Sequence, residues 1–168
     1  MGERSIHKRW SRPHSKIGQE DKHDFHDSIV DRIFENPQLL GNHFPYKNGE
    51  IVLKVKEPHL PNFYATKNRG SVIDILAVCR ERNSIYIVAI EVKVGYFHRR
   101  RGFSQIGKAA GYFKRCWKEW MISSGIEKSN IDNINNVYFL GILAERPNYP
   151  EINFEKWVKS PMRFCLNG

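Results

Sequence analysis

Residues Val72 to Gly95 read VIDILAVCRERNSIYIVAIEVKVG, and nearly all of this stretch has the composition of buried β-sheet. Two apolar runs, Ser71 to Arg80 and Ile85 to Val94, flank the polar Glu81-Arg82-Asn83-Ser84, the pattern of a hairpin between central strands. Asp74, Glu91 and Lys93 interrupt those runs, where unpaired charge is expensive. With a period of two, Ile85, Ile87, Ala89, Glu91 and Lys93 share one face, while Tyr86, Val88, Ile90, Val92 and Val94 share the other. If Asp74 lies on the adjacent antiparallel strand, its carboxylate comes close to Glu91, since neighbouring strands are about 4.8 Å apart.

Two carboxylates that close repel, and each raises the other's pKa unless a cation sits between them. A hard divalent ion such as Mg²⁺, with Mn²⁺ as a substitute, resolves the conflict: it takes one or two carboxylates and keeps room for waters and phosphate oxygens. The Val92 carbonyl is a candidate further ligand. Lys93, one pleat on, is placed to orient or help deprotonate an attacking water, or to stabilise charge building on a phosphate. The plainer alternative is an ordinary ion-pair cluster on a half-exposed sheet.

Outward from this core, residues Gly18 to Leu40 place Phe25, Ile29, Ile33 and, on one flank, Val30 at helical spacing, with acidic residues in the first turns and Asn36-Pro37 as the stop. The run EIVLKVK, Glu50 to Lys56, alternates Ile51, Leu53 and Val55 on one face and predicts a strand. The segment EPHLPNFYATKNRG that follows reads as an exposed connection. GYFHRRRG, Gly95 to Gly102, reads as a loop. Ser104 to about Ile122 predicts a long helix with Ile106, Ala109, Ala110, Phe113, Trp117 and Trp120 on one stripe. Val137 to Ala144 predicts a fourth buried strand, and Phe154 to Val158 a short helix. The order helix, strand, strand, strand, helix, strand implies a mixed sheet with helices packed against it.

The chain has 168 residues, and its 40% hydrophobic and 12% aromatic content supports one domain with a real core. Twenty-seven Lys and Arg against eighteen Asp and Glu give a formal charge of +9, which favours a polyanionic partner. Residues 1–16 carry five Lys or Arg and almost no apolar pattern, so a disordered basic arm is expected there, with a single domain over 17–168. The three cysteines form no CxxC pair, and no run approaches the roughly 20 apolar residues of a membrane span. A reducing, cytoplasmic setting without membrane contact is the expectation. The histidines show no HExxH-type spacing, and no G-x-x-x-x-G-K-[ST] phosphate loop is present.

Gly70-Ser71-x-x-Asp74, then sixteen residues, then Glu91-Val92-Lys93, then a helix opening Ser104-Gln105-Ile106, resembles the core of the PD-(D/E)XK nuclease superfamily. The resemblance covers roughly residues 18 to 144, with Ile73-Asp74 standing where the superfamily has its nominal proline-aspartate. Archaeal Holliday-junction resolvases share the GSxxD and ExK arrangement, and NucS-like and RecB-like nucleases carry a glutamine matching Gln105. The resemblance implies a restriction-endonuclease-like α/β fold with a central mixed sheet. It also implies a Mg²⁺-dependent DNA endonuclease in which Asp74 and Glu91 hold the metal and Lys93 assists. An upstream helix in this superfamily often adds a glutamate to the metal site, and Glu20 ranks first among Glu20, Asp21, Asp24 and Asp27. His26, not these acids, falls on the apolar stripe.

Gln105 and Tyr112, seven residues apart and so about 20° apart in rotation, share a helix flank from which they would face phosphate or base. Arg99, Arg100 and Arg101, directly after the catalytic strand, are candidates to clamp a nucleic-acid backbone, with Lys108 further along. Branched or otherwise structured DNA is the expected substrate; RNA and a restriction-type duplex activity stay open, as does a binding module that keeps the fold without catalysis. A junction resolvase would act as a symmetric homodimer, because two strands must be cut at related positions.

Overall fold

The computed structural model describes residues 25–44, 50–58, 60, 73–94, 98–146 and 151–166. Residues 25–35 are helical (α1), and the helix stops where Asn36-Pro37 predicts, since proline cannot continue the hydrogen-bond ladder. A 3₁₀ segment, Pro37–His43, follows. Then come β1 (Glu50–Lys56), β2 (Ile75–Glu81), β3 (Ser84–Lys93), α2 (Arg99–Ser123), α3 (Lys128–Asp132), β4 (Asn136–Glu145), β5 (Asn153–Lys156) and β6 (Met162–Phe164). The expected basic arm and the acidic residues up to Asp24, Glu20 among them, lie outside the described residues, as do Gly70 and Ser71 of the GSxxD run.

The six strands form one mixed sheet in the order β1-β2-β3-β4-β5, with β6 also paired to β4. β2 and β3 are the expected antiparallel hairpin, closed by Arg82 and Asn83 between the paired Glu81 and Ser84. Arg82 takes a left-handed φ of 52°, which lets so tight a turn match the strand twist. β3 and β4 run parallel, a geometry that requires a crossover connection, and α2 supplies it.

Period-two alternation divides the apolar residues of this sheet between two cores. On one face Leu76, Val78, Ile87, Ala89, Phe139 and Leu143 meet Ile106, Ala109 and Phe113 of α2. On the other, Ile75, Ala77, Val88, Ile90, Val92 and Ile142 meet Ile29, Val30 and Ile33 of α1. Because both faces are covered, β2, β3 and β4 read as near-continuous apolar runs.

Four expectations need correction. β1 has the expected bounds but contains an irregularity between Ile51 and Leu53. Ile51 therefore packs with the α1-side core and Leu53 with the α2-side core, instead of sharing a face. The connection after β1 is not wholly exposed, since Pro58 and Leu60 are buried. The loop expected over Gly95 to Gly102 is helical from Arg99, so the three arginines occupy the first turn of α2.

The fourth concerns Phe154 to Val158, where β5 replaces the expected helix. Its residues 153–156 pair antiparallel with Glu145 to Ile142, and the Trp157 N–H donates to the Gly141 carbonyl at 2.9 Å. The Trp157 side chain fits beside Gly141 and Gly107, where a Cβ would lie 3.0 and 3.5 Å from it. No helix among the described residues is long and apolar enough to cross a membrane.

Candidate active site

Asp74 sits at a bend immediately before β2, at the end of the sheet where β3 finishes with Glu91, Val92 and Lys93. Its backbone joins the strand-end geometry, because the Glu57 N–H donates to the Asp74 carbonyl at 2.9 Å. The Asp74 N–H donates to Glu91 Oε2 at 3.3 Å, and Asp74 Oδ2 accepts from the Val92 N–H at 2.7 Å. A backbone-to-side-chain exchange of this kind holds both carboxyl groups at fixed positions. It also satisfies polar groups that burial would otherwise make costly.

Glu91 and Lys93 point to the same face, as the two-residue period requires, and Lys93 Nζ donates to Glu91 Oε1 at 2.6 Å. Glu91 is 1% exposed and Asp74 9%. The Lys93 side chain is 17% exposed, so the cluster meets solvent through its lysine and through Asp74. Burial is the largest influence on Glu91 and, together with the neighbouring Asp74 charge, pushes its pKa up to about 7 against the pull of Lys93.

One partner comes from α1. His26 Nε2 lies 3.3 Å from Asp74 Oδ2, and Nδ1 lies 3.1 Å from Asp27 Oδ1. Its hydrogen bond to Asp74 is the main cause that raises its pKa to about 9, against a desolvation penalty, so an imidazolium stands between two carboxylates. The sequence signal for His26 is its place on the apolar stripe of α1, which aims it at the sheet.

α2 reaches the site through Gly102. A Cβ there would lie 2.5 Å from Leu143 Cδ1 and 3.2 Å from Lys93 Cγ, so only glycine lets the helix approach the lysine so closely. Gln105, one turn on, keeps a buried Oε1 that has no hydrogen-bond partner among the described residues. Arg100, Arg101 and Lys108 are exposed. Arg99 forms an ion pair with Glu155 of β5 and lies over the Phe103 ring, 5.5 Å from its centroid. Tyr112 departs from its expected role: it is 4% exposed and packed edge-on against Phe113 within the α2-side core, where no base can stack on it.

The structure thus brings Asp74, Glu91, Val92 and Lys93 together and adds His26. Among the described residues no group of three or more His, Cys, Asp or Glu side chains is gathered to hold a metal ion; the donor set is the Asp74 and Glu91 pair. Compared with protein-family models, with curated proteins and with solved structures, the chain matches none.

Proposed function

We propose that the chain is a Mg²⁺-dependent DNA endonuclease on a restriction-endonuclease-like variant of the mixed α/β sheet. The observation that carries this reading is the convergence of Asp74 and Glu91 at one sheet end with Lys93 Nζ 2.6 Å from Glu91. The donor chemistry fits a hard divalent cation. Both oxygen donors are carboxylates, burial and then the Asp74 charge lift Glu91 to about 7, and a cation between the two would offset both the lost solvation and the repulsion. When bound, such an ion neutralises phosphate charge and polarises a phosphoryl oxygen.

Asp74 and Glu91 would hold the ion, with the Val92 carbonyl as a further oxygen donor. Lys93, held by Glu91 and partly open to solvent, orients the water that attacks phosphorus or stabilises the charge that accumulates on the phosphate oxygens. His26 fixes the Asp74 carboxylate from the α1 side. Gln105, whose Oε1 has no hydrogen-bond partner among the described residues, would help to position substrate. Arg100, Arg101 and Lys108 would hold the backbone of the strand, and two chains related by a two-fold axis would serve a four-way junction. RNA and matched duplex remain alternative substrates on the same chemistry.

A second reading, nucleic-acid binding without catalysis, is favoured by one feature: Glu91 is 1% exposed, and both its oxygens already accept hydrogen bonds. That reading predicts salt-dependent binding that is indifferent to Mg²⁺. Cleavage assays on the full chain separate the two. In the nuclease reading, Asp74→Ala and Glu91→Ala abolish Mg²⁺-dependent cleavage; full activity in Glu91→Ala refutes the assignment.

A further inference from the structure

We infer that the outward face of α2 is a track for the backbone of duplex DNA, leading away from the Asp74 and Glu91 site. Its location relative to catalysis rests on the nuclease reading, but its chemistry does not. Beyond Arg99, α2 carries Arg100, Arg101, Lys108, Lys114, Arg115 and Lys118 at exposed positions and a single acid, Glu119. Arg101, Lys108 and Arg115 recur every seven residues. Each step turns the helix by only about 20° and advances it about 10.5 Å, so the three form one row roughly 21 Å long. The row lies opposite Ile106, Ala109, Ala110 and Phe113, which bury the other side of the helix against the sheet.

Three further observations point to a polyanion. Among the described residues, none of the three cations in the row has an acidic partner, whereas Lys56, Lys93 and Lys118 pair with Asp31, Glu91 and Asp132. Cations crowd the first turn of α2, the end of a helix that favours anions, and a phosphate backbone laid there reverses that repulsion. The two helices also differ in charge, since α1 across the sheet exposes three acids, Asp27, Asp31 and Glu35, against one cation, Arg32. An anionic membrane is the weaker occupant, because a membrane-surface helix inserts its apolar side and here that side is sealed against β3 and β4. A row of about 21 Å matches roughly six base pairs of rise in a duplex.

The test is fluorescence anisotropy of the full chain on a 20-base-pair duplex in EDTA, titrated between 50 and 200 mM salt. Each lost phosphate contact reduces the slope of log affinity against log salt by about 0.9, so Lys108→Ala/Arg115→Ala should be shallower by about 1.8. The control Lys128→Ala/Lys159→Ala, also exposed cations but off the row, should keep the original slope. An unchanged slope in the first variant overturns the track. So does charge-dependent binding to phosphatidylcholine and phosphatidylserine vesicles that requires Lys108 and Arg115 while duplex binding does not. Mg²⁺-dependent cleavage with an unaltered slope would sink the track and leave the nuclease reading standing; an altered slope without cleavage would do the reverse.

Discussion

The N–H of Asp74 donates to Glu91 Oε2 at 3.3 Å, while Asp74 Oδ2 accepts from the N–H of Val92 at 2.7 Å. Asp74 stands one residue before β2, beyond the last paired position, Ile75 with Ile90, and this clasp replaces the ladder there. It brings two carboxyl groups together at a sheet end, with Lys93 on one side and His26 on the other. Electrostatics at such a site should be visible in stability as well as in catalysis.

Without divalent cation, the chain should lose stability as pH rises from about 4.5 to 9. Glu91 has its pKa raised from 4.5 to about 7, so between those values the folded chain holds a proton that the unfolded chain has released. His26, raised from 6.5 to about 9, does the same in the higher window, and its contribution is complete only below 6.5. The unfolding free energy from urea titrations in EDTA should therefore fall across both windows, by on the order of 1–3 kcal/mol each, and the midpoints with it. Glu91→Gln should flatten the lower window and His26→Gln the upper. A midpoint that rises from pH 5 to 9 would contradict both shifts.

Mg²⁺ should stabilise the chain more at pH 8 than at pH 5, because the carboxylates must be deprotonated to hold it. Thermal unfolding with and without Mg²⁺ in large excess over the chain reads this directly. An equal shift at both pH values, or an equal shift in Asp74→Asn, would show that the ion acts elsewhere.

Lys93→Met should do more than impair cleavage. It leaves the Glu91 carboxylate buried without its cation, a change that costs about 3 kcal/mol when the carboxyl group is ionised. The loss should be large at pH 8 and shrink at pH 5, where Glu91 takes up a proton. A pH-independent loss would mean that Lys93 contributes packing alone.

Gly141→Ala should cost about 1–3 kcal/mol, because its Cβ would lie 2.1 Å from Ile106 Cγ2 and 3.0 Å from Trp157 Cβ between two packed layers. Gly111→Ala, with open space around the new methyl, should be neutral or slightly stabilising by helix propensity. Chemical denaturation of the pair decides it, and equal behaviour of the two variants would count against the packing of α2 on β4.

Much of this was legible because it depends on local alternation. The β2 and β3 hairpin, the bounds of β1 and the shared face of Glu91 and Lys93 follow from a period of two. What escaped depends on tertiary contacts. Phe154, Trp157 and Val158 have helical spacing, yet β4 offers an open ladder and Gly141 a space for Trp157, and pairing prevails. Gly95 and Gly102 read as loop punctuation, but Gly102 is needed inside α2 for close approach to Leu143 and Lys93. Tyr112 shares a flank with Gln105 by rotation, but about two turns further along α2 that flank is packed into the α2-side core, edge-on against Phe113.

The most direct measurement incubates the full chain with labelled four-way junction and linear duplex, with and without Mg²⁺, beside Asp74→Asn. The expected result is cleavage that requires Mg²⁺, favours the junction and disappears in Asp74→Asn. Binding without any cleavage in Mg²⁺ or Mn²⁺, or cleavage that Asp74→Asn leaves intact, would contradict a two-carboxylate metal site at the end of β3.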